Sequence, residues 1–570
     1  MAMYAGLVNS VEIPNGRIKI LKNGYVYWIT ESHWDNDRQM TVDNRVVIGK
    51  LDETNRNKMY PNKKYEQLFG TIDPDVEDVK KKYEPIATEQ AGKIDTEMSY
   101  GAYAVMKAAA GKCGCLEALK KAFPSLWHKI FAVGLHSIMS GNSTAQAFAG
   151  WAFDNYCGLR SSISDSEISK LYGAISDDRA AVLTFFELYG RYYHEAFPQY
   201  GERVVAFDST NQQTNEATHS KAKRGKSKEG GLVSVINTAM YVDEATGIAQ
   251  YYEHFDGNVL DKTQSPYTIE KAIQLGFRKL FLMQDRGYFS KGNLESIENL
   301  GIGYGMMLPE TTDIANKLIN EHLPTIKLNE HYHIANEDAY GIPTTVVIAG
   351  KEYYAYVFYD DNTAKAERDA IHGNVNYWLD EAGKRKNFTE KMKEHYGKRA
   401  IKVTKTERDQ KTGKNYILEI DHDMVADAIR NAGAFVVLSN RKIDISDMIS
   451  IARKRDCVEK TFRTLKCHFD LKKTYTHGDR TYDGKMFVAF VALIVLQSYS
   501  YFIQNVLHSK TANTVATTLS ELHKYKIRYG DKKNWFPLYA CNKQQKDILA
   551  CFELTQENIE NQVRALKLRV

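Results

Sequence analysis

The sequence has little proline, little net charge and no paired cysteine motif. Proline supplies 11 of 570 residues while 43% are hydrophobic, which excludes a mostly disordered or collagen-like chain. Lys and Arg number 76 against 71 Asp and Glu, so a net charge of +5 does not by itself indicate a nucleic-acid partner, and local charge must decide. The seven cysteines form no Cys-x-x-Cys pair, which excludes zinc ribbons and a secreted disulfide framework. A reducing cytoplasm is expected, and the 16 scattered histidines predict no metal site.

Long apolar runs are also scarce. The one uncharged stretch long enough to cross a bilayer covers residues 486–503. Its second half carries Gln497, Ser498 and Ser500, and charged sequence flanks it on both sides, so we interpret it as a buried core helix. The first residues lack a basic segment followed by an apolar run, and we expect neither a signal peptide nor a membrane partner.

The length fits three or four domains. Short alternating stretches separated by turn signals predict a β-rich region over residues 1–73, and the polar residues 74–99 predict a linker. Over residues 100–198 the apolar residues recur every three or four positions, and Ser and Asp offer helix caps. We interpret that region as a helical, DNA-binding domain.

The remaining chain predicts an α/β core with an insertion. Over residues 199–307, three strands in succession precede alternating helices and strands, which indicates a mixed sheet flanked by helices. Residues 308–432 predict a β-rich insertion domain that holds a hairpin and one long charged helix. Residues 433–507 resume the core with a strand and a long helix over 446–469. The tail, 508–570, has 11 basic and 6 acidic residues, which favours a role in DNA binding or dimerisation.

Two aspartates follow apolar strands of this predicted sheet. Asp208 ends the run RVVAF, and Asp285 ends KLFLMQ. Each one alone is more typical of a turn or a helix cap. Two at strand ends of one sheet are more informative, because chemistry in open α/β sheets gathers at the carboxyl ends of strands.

A third carboxylate, Glu459, lies on the predicted helix 446–469. Arg455, Glu459, Arg463 and Lys466 share one face of that helix, beside an apolar stripe. This helix pattern alone is better explained by ion pairs between residues four apart on a solvated face. A carboxylate at the edge of a buried seam, flanked by cations, also suits a site that holds metal and phosphate together.

Taken in order, these motifs resemble those of DDE transposases of bacterial insertion sequences. The chain carries Asp208-Ser209-Thr210, then Asp285-Arg-Gly-Tyr288, then Arg455-x3-Glu459-x6-Lys466. The family signature in the last region is Tyr-x2-Arg-x3-Glu-x6-Lys, and this chain has Ala452 in place of the Tyr. The segments GKSKEGG and DGNVLD are also similar to the family. The resemblance covers about residues 200–510.

The resemblance implies an RNase H-like core that cuts DNA at transposon ends and transfers the strands to target DNA by cut-and-paste. Asp208, Asp285 and Glu459 are the implied catalytic and metal-binding residues. Carboxylates suit Mg²⁺, with Mn²⁺ as a substitute, and two ions would act on the attacking and leaving oxygens. Asp208 would be shared by both ions, and Asp285 and Glu459 would each complete one.

The expected partners are double-stranded DNA with terminal inverted repeats, target DNA and a second copy of the chain, within a bacterial cytoplasm. Arg455 and Lys466 are the implied phosphate contacts near the scissile bond, with Arg463 and Arg286 as further candidates. A basic segment directly after the first catalytic strand favours DNA contact over a solvated loop. Its cations are Lys221, Lys223, Arg224, Lys226 and Lys228.

The charge excess is concentrated near Glu459. Residues 453–473 hold eight basic and three acidic residues, so a near-neutral chain still places positive charge where a DNA backbone would lie. Two alternatives stay open at this point: a domesticated, non-catalytic DNA-binding derivative, and an RNase H-like metal-dependent nuclease without strand transfer. The intact triad disfavours the first, and the long N-terminal portion with the insertion disfavours the second.

Overall fold

The computed structural model describes most of the chain, in two compact units. The smaller unit comprises Met1–Thr96 with Gly530–Lys532, and the larger one comprises the remaining residues. The described residues are 10–35, 40–52, 55–69, 97–200, 202–216, 218–277, 280–385, 387–406, 416–507, 514–530 and 534–566.

The smaller unit is an antiparallel sheet with one helix. Its elements are β1 (Val11–Glu12), β2 (Ile18–Ile20), β3 (Tyr25–Asp35), β4 (Met40–Leu51), β5 (Lys58–Pro61) and α1 (Lys63–Phe69). The strand order is β1-β5-β4-β3-β2, and Val26, Ile48 and Met59 form its small core. The β-rich N-terminal region is thus confirmed. Most of the predicted linker, residues 74–96, lies outside the described residues.

The larger unit begins with a short strand and a set of helices. They are β6 (Glu97–Ser99), α2 (Gly101–Lys112), α3 (Cys115–Ala122), α4 (Trp127–Ser140), α5 (Ala145–Asp154), α6 (Asp165–Asp177) and α7 (Arg179–Ala196). The predicted cap is present at α6, where the Ser164 side chain accepts from the Glu167 backbone N–H and the Glu167 carboxylate accepts from the Ser164 N–H.

The first strands after these helices build the sheet that holds the candidate site. They are β7 (Arg203–Thr214), β8 (Lys223–Lys226), β9 (Leu232–Asp243), β10 (Ala249–Asp256), β11 (Leu280–Gln284) and β12 (Gly303–Met307), with α8 (Asp261–Gln274) and α9 (Lys291–Asn299) between them. The order is β10-β9-β7-β11-β12. The first three strands are antiparallel, and β11 and β12 run parallel to β7. Three successive antiparallel strands followed by two parallel ones are the RNase H-like arrangement.

This sheet continues into the region predicted as an insertion. After α10 (Asp313–Ile326) come β13 (His333–Ile334), β14 (Ala339–Ile348) and β15 (Lys351–Tyr359). The sheet runs on from β12 through β18 (Ala434–Ser439) to β15, β14 and β13. The strands of the predicted hairpin therefore extend the main sheet, because their apolar faces pack on its core.

The rest of the insertion folds around a core of its own, which includes Val375, Tyr396, Ile401 and Val425. Its elements are α11 (Asp361–Gly383), α12 (Glu390–Gly397), β16 (Ile401–Lys405), β17 (Tyr416–Ile420) and α13 (His422–Arg430). One long charged helix was expected where α11 and α12 stand. That expectation was wrong, because Thr389 caps a new helix by accepting from the Met392 N–H.

The helix predicted over residues 446–469 is also divided. It consists of α14 (Ile445–Lys454), α15 (Asp456–Arg463) and a π-helical turn over Thr464–His468. The division has a packing reason. Ala452 on α14 packs with the side chains on one face of the sheet, whereas Val458 on α15 packs in the large core. Arg455 stands at the joint, between the two helices.

The uncharged run predicted as a core helix lies within α16 (Gly478–Phe502), after β19 (Lys473–Thr474). Among the described residues it alone is long and apolar enough to cross a membrane, and 72% of its most apolar window is buried inside the protein. Its polar residues make internal bonds. Gln497 accepts from the Ala249 N–H and donates to Thr461, and Ser498 donates to the Ala109 carbonyl.

The predicted tail is folded over most of its described length. Its elements follow α17 (Gln504–Leu507) and are α18 (Val515–His523), β20 (Lys526–Tyr529), β21 (Trp535–Pro537), α19 (Lys543–Ala550) and α20 (Gln556–Arg564). Strand β20 pairs with β21 and with β6, so the end of the chain closes a small sheet with the residues that precede α2.

Candidate active site

Asp208 lies in the middle of β7, the central strand of the RNase H-like part of the sheet. Its Oδ1 accepts from the Ser209 N–H at 2.7 Å and from the Tyr288 hydroxyl at 3.2 Å. Burial raises the pKa of this carboxyl, and the negative charge of Asp285 adds to that, while the Ser209 N–H, Lys228 and Arg455 oppose it. Asp208 is therefore a partly buried carboxylate whose ionised form the Ser209 N–H, Lys228 and Arg455 favour.

Asp285 follows β11, the strand that runs parallel to β7. The register pairs Gln284 of β11 with Phe207 of β7, so Asp285 follows beside Asp208. The prediction that Asp208 ends its strand was wrong, because β7 continues to Thr214. The turn that follows Asp285 contains Tyr288. The Tyr288 hydroxyl donates to Asp208 and, at 3.0 Å, to Ser209 Oγ. The chain after β11 thus supplies both a second carboxylate and a hydroxyl that orients the first.

Glu459 lies on α15, which packs against β7 and β9. Its Oε1 accepts from Arg455 Nη2 at 3.2 Å, and Arg455 Nη1 lies 3.9 Å from Asp285 Oδ2. The arginine is 16% exposed, against 34% for Asp285 and 53% for Glu459. One buried guanidinium therefore joins two of the three predicted carboxylates. The ion pair between residues four apart on the helix is present, as the helix pattern predicted, and its Glu459 end is exposed.

The oxygen donors of this site suit a hard divalent ion. Asp208 and Asp285 are close enough for the charge of one to raise the pKa of the other. However, within the part of the chain that the structure describes, no three Asp, Glu, His or Cys side chains are arranged closely enough to hold a metal ion. In this arrangement Arg455 contacts both Asp285 and Glu459.

Lys466 stands in the π-helical turn that ends this helix. Its side chain is 12% exposed, and its Nζ lies 3.2 Å from Glu229 Oε1. π-Helical turns are rare and are found frequently at functional sites. Ala452, which replaces the family tyrosine, is buried among apolar side chains of α14 and the sheet. No hydroxyl can be supplied from that position.

The basic segment after β7 is partly a strand rather than a loop. Residues Lys223–Lys226 pair with β9 because Gly225 allows the Gly257 carbonyl to approach where any Cβ would collide with it. The cations at 223, 224, 226 and 228 are exposed, whereas Lys221 is half-buried and lines a cavity of about 240 Å³. There Lys221 opposes the rise in pKa that burial causes at Asp483.

The other predicted cations differ in their surroundings. Arg286 makes an ion pair with Glu310 at 2.5 Å, and Arg463 is exposed on α15. Two residues near the site carried no predicted role. Tyr288 was visible only as the last letter of Asp-Arg-Gly-Tyr, and Asp261 at the start of α8 pairs with Lys228 at 3.5 Å. The sequence signal that could have predicted a role for Tyr288 is its position three residues after Asp285, at the end of a strand.

The profile of the transposase DDE domain family matches residues 199–495. The chain belongs to the transposase DDE domain family. The match covers more than half of the chain and contains Asp208, Asp285 and Glu459. The protein is thus a DDE-type transposase, a family of DNA-cleaving and DNA-transferring enzymes that use divalent metal ions.

A solved structure similar to this DDE transposase is the piggyBac transposase synaptic complex with hairpin DNA, determined by cryo-EM. The two are 8% identical, with a TM-score of 0.34, and the alignment covers 76% of this chain and 81% of that one. No curated protein matches the sequence.

Proposed function

We propose that this DDE transposase cuts DNA at the ends of a bacterial insertion sequence and joins the freed 3′ ends to target DNA, by cut-and-paste. Asp208, Asp285 and Glu459 are the catalytic residues. The observation that carries the proposal is their placement: two lie on adjacent parallel strands of the RNase H-like sheet, and the third lies on a helix packed against the same central strand. One arginine lies within 4 Å of two of them.

The three carboxylates would hold two Mg²⁺ ions, with Mn²⁺ as a substitute. When bound, such ions activate the attacking oxygen and stabilise the leaving oxygen of an in-line displacement. The chain's own residues prepare the site for this chemistry. The Tyr288 hydroxyl and the Ser209 N–H orient the Asp208 carboxylate, which is only partly exposed to water.

Phosphate binding falls to the cations that surround the carboxylates. Arg455 offers a guanidinium that can contact a phosphate through two N–H groups, and Lys466 offers a point charge at the far end of the same helix. Strand β8 pairs with β9, and its exposed cations together with Lys228 would follow the DNA backbone away from the scissile bond. Acting on two ends implies a homodimer on DNA, in the bacterial cytoplasm.

The test uses the purified full chain, Mg²⁺ and labelled DNA that carries the terminal inverted repeats of its element. We expect strand cuts at the repeat ends and joined products with target DNA. Glu459→Gln and Asp208→Asn should reduce both by at least about 10³-fold, since charge stabilisation at the reacting phosphate is the largest catalytic contribution.

Asp456→Asn is the matched control, because Asp456 lies on the same helix and its side chain has the same 53% exposure as Glu459. It should cut and join as the wild type does. Full cleavage by Glu459→Gln would refute the assignment. Cuts without joining would indicate a plain nuclease, and a mobility shift without cuts would indicate a non-catalytic DNA-binding derivative.

A further inference from the structure

Arg455 occupies the space between two carboxylates assigned to metal binding. Its Nη2 donates to Glu459 at 3.2 Å, and its Nη1 faces Asp285 at 3.9 Å. The arginine is more buried than either partner. A positive charge so placed neutralises the same oxygens that a divalent ion would need.

The guanidinium is nevertheless poorly held. Its Nε and Nη1 atoms are buried and have no hydrogen-bond partner among the described residues. Arginine carries five N–H donors, and leaving buried donors unsatisfied costs free energy. One hydrogen bond, from Nη2 to Glu459, and the charge of Asp285 hold Arg455 beside the acids, while its unpaired donors need an acceptor. A DNA phosphate, with its several anionic oxygens, is such an acceptor.

The side chain of Arg455 can be redirected by rotation about its own bonds. Arg455 stands at the one-residue break between α14, which ends at Lys454, and α15, which begins at Asp456, and its own backbone dihedrals are helical. A change of rotamer would therefore move the guanidinium without unwinding either helix. Its charge also acts on the partly buried Asp208, so every carboxylate of the triad lies within its influence.

We propose that Arg455 is a charge placeholder that couples metal binding to DNA binding. In the DNA-free protein it opposes divalent ions at Asp285 and Glu459, and it leaves them for a phosphate when DNA enters the site. This inference rests on the proposed function. Because coupling between two ligands is reciprocal, DNA must tighten metal binding by the same factor as metal tightens DNA binding.

The first test measures Mn²⁺ affinity without DNA, by calorimetric titration of the full chain. We expect Arg455→Gln to bind Mn²⁺ about tenfold more tightly than the wild type, because it removes a unit positive charge about 4 Å from the ligand oxygens. Lys460→Gln is the matched control: it removes the same charge next to Glu459, where Lys460 instead pairs with Asp456. Its affinity should stay within about twofold of the wild type. Arg455→Lys keeps the charge and should stay near the wild type as well.

The second test uses the wild-type chain and so does not depend on any variant folding. Mn²⁺ is titrated with and without DNA of the terminal repeat, and the Mn²⁺ bound by the DNA alone is subtracted. DNA should tighten Mn²⁺ binding by about the factor that Arg455→Gln gains without DNA. Unchanged Mn²⁺ affinity in the presence of DNA, or in Arg455→Gln, would overturn the placeholder role.

The same measurements distinguish a failure of the placeholder role from a failure of the proposed metal site. If Mn²⁺ binding is present and lost in Asp208→Asn while Arg455→Gln does not tighten it, the placeholder role fails and the metal site stands. If Asp208→Asn binds Mn²⁺ as the wild type does, the metal site itself is wrong and the placeholder role fails with it.

Discussion

At the scale of single residues, the site is governed by a few buried polar groups. Asp208 owes its orientation to Tyr288 and to the Ser209 N–H, and this N–H, Lys228 and Arg455 oppose the rise in pKa that burial causes. Glu244, just after β9, is a different case. Its carboxylate oxygens have no hydrogen-bond partner among the described residues, and burial raises its pKa to about 9. Hydrogen bonds and nearby cations thus stabilise the Asp208 carboxylate, whereas the unpaired Glu244 carboxyl lowers the stability of the fold.

Tyr288→Phe should reduce strand cleavage about 10- to 100-fold, because outer partners of metal-binding carboxylates contribute on that scale. The ring and its packing remain, so only the hydroxyl contacts to Asp208 and Ser209 are lost. Tyr304→Phe is the control. It removes a similar hydroxyl contact, to Glu298, from an equally buried tyrosine outside the site. Equal activities of the two variants in a cleavage assay would contradict the orienting role.

Glu244→Gln should change how stability depends on pH. The folded pKa of about 9 lies above the ordinary value of 4.5, so the folded state binds more protons than the unfolded state between these values. Wild-type stability should therefore fall as pH rises through that window, by at most about 1.4 kcal/mol per pH unit from this group.

The glutamine variant lacks that contribution. Denaturant unfolding at pH 6 and pH 8 should show its advantage over the wild type growing with pH. An advantage that stays constant between the two pH values would show that Glu244 is ionised in the folded protein.

At the scale of elements, the strands were more predictable than the broken helices. The apolar run that ends at Asp285 marks the end of β11, so that strand could be placed from the sequence. Strand β7 could be placed only in part, because it continues beyond Asp208 to Thr214. The helical period continues unbroken through Arg455, so nothing local marks the joint between α14 and α15. The break arises because Ala452 and Val458 pack in different clusters, which is a property of the assembled sheet. The position of Arg455 between two acids could not be foreseen for the same reason.

Strand β8 is the element whose charge can be tested directly. Replacing Lys223, Arg224 and Lys226 together by Ala should weaken DNA binding and reduce the slope of log affinity against log salt by up to about 3, since each phosphate contact contributes about 0.9. The control is the triple variant Lys223→Arg, Arg224→Lys and Lys226→Arg, which keeps every charge and should keep the slope. An unchanged slope in the alanine variant would remove β8 from the DNA interface.

At the scale of the whole molecule, α16 joins regions that are far apart in sequence. It packs against α2, α4 and α6 on one side and contacts β10 on the other. Gln497 connects it to β10 and α15, and Ser498 connects it to α2. The helices of residues 100–198 were predicted from local periodicity. Only the fold shows that the helix at the centre of their packing is α16, which follows the sheet and the insertion in the sequence.

Leu493→Ala should therefore destabilise the helices and the sheet together. Leu493 is fully buried, and such a truncation costs about 2–5 kcal/mol. Hydrogen exchange should quicken in α4 and in β10 alike, whereas Leu493→Met, which keeps the volume, should cost less than about 1.5 kcal/mol. Faster exchange confined to the helices would show that the two regions unfold independently.

The place of α16 in the chain has a consequence for synthesis on the ribosome. Helices α2–α7 emerge roughly 15 to 60 s before α16 at ordinary rates of translation. During that interval their apolar faces lack the helix that covers them, which exposes the growing chain to aggregation. Under the proposed role of Glu459, strand cleavage would also begin only after most of this interval has passed. Protection during synthesis and a delayed onset of activity would then both depend on one late part of the chain.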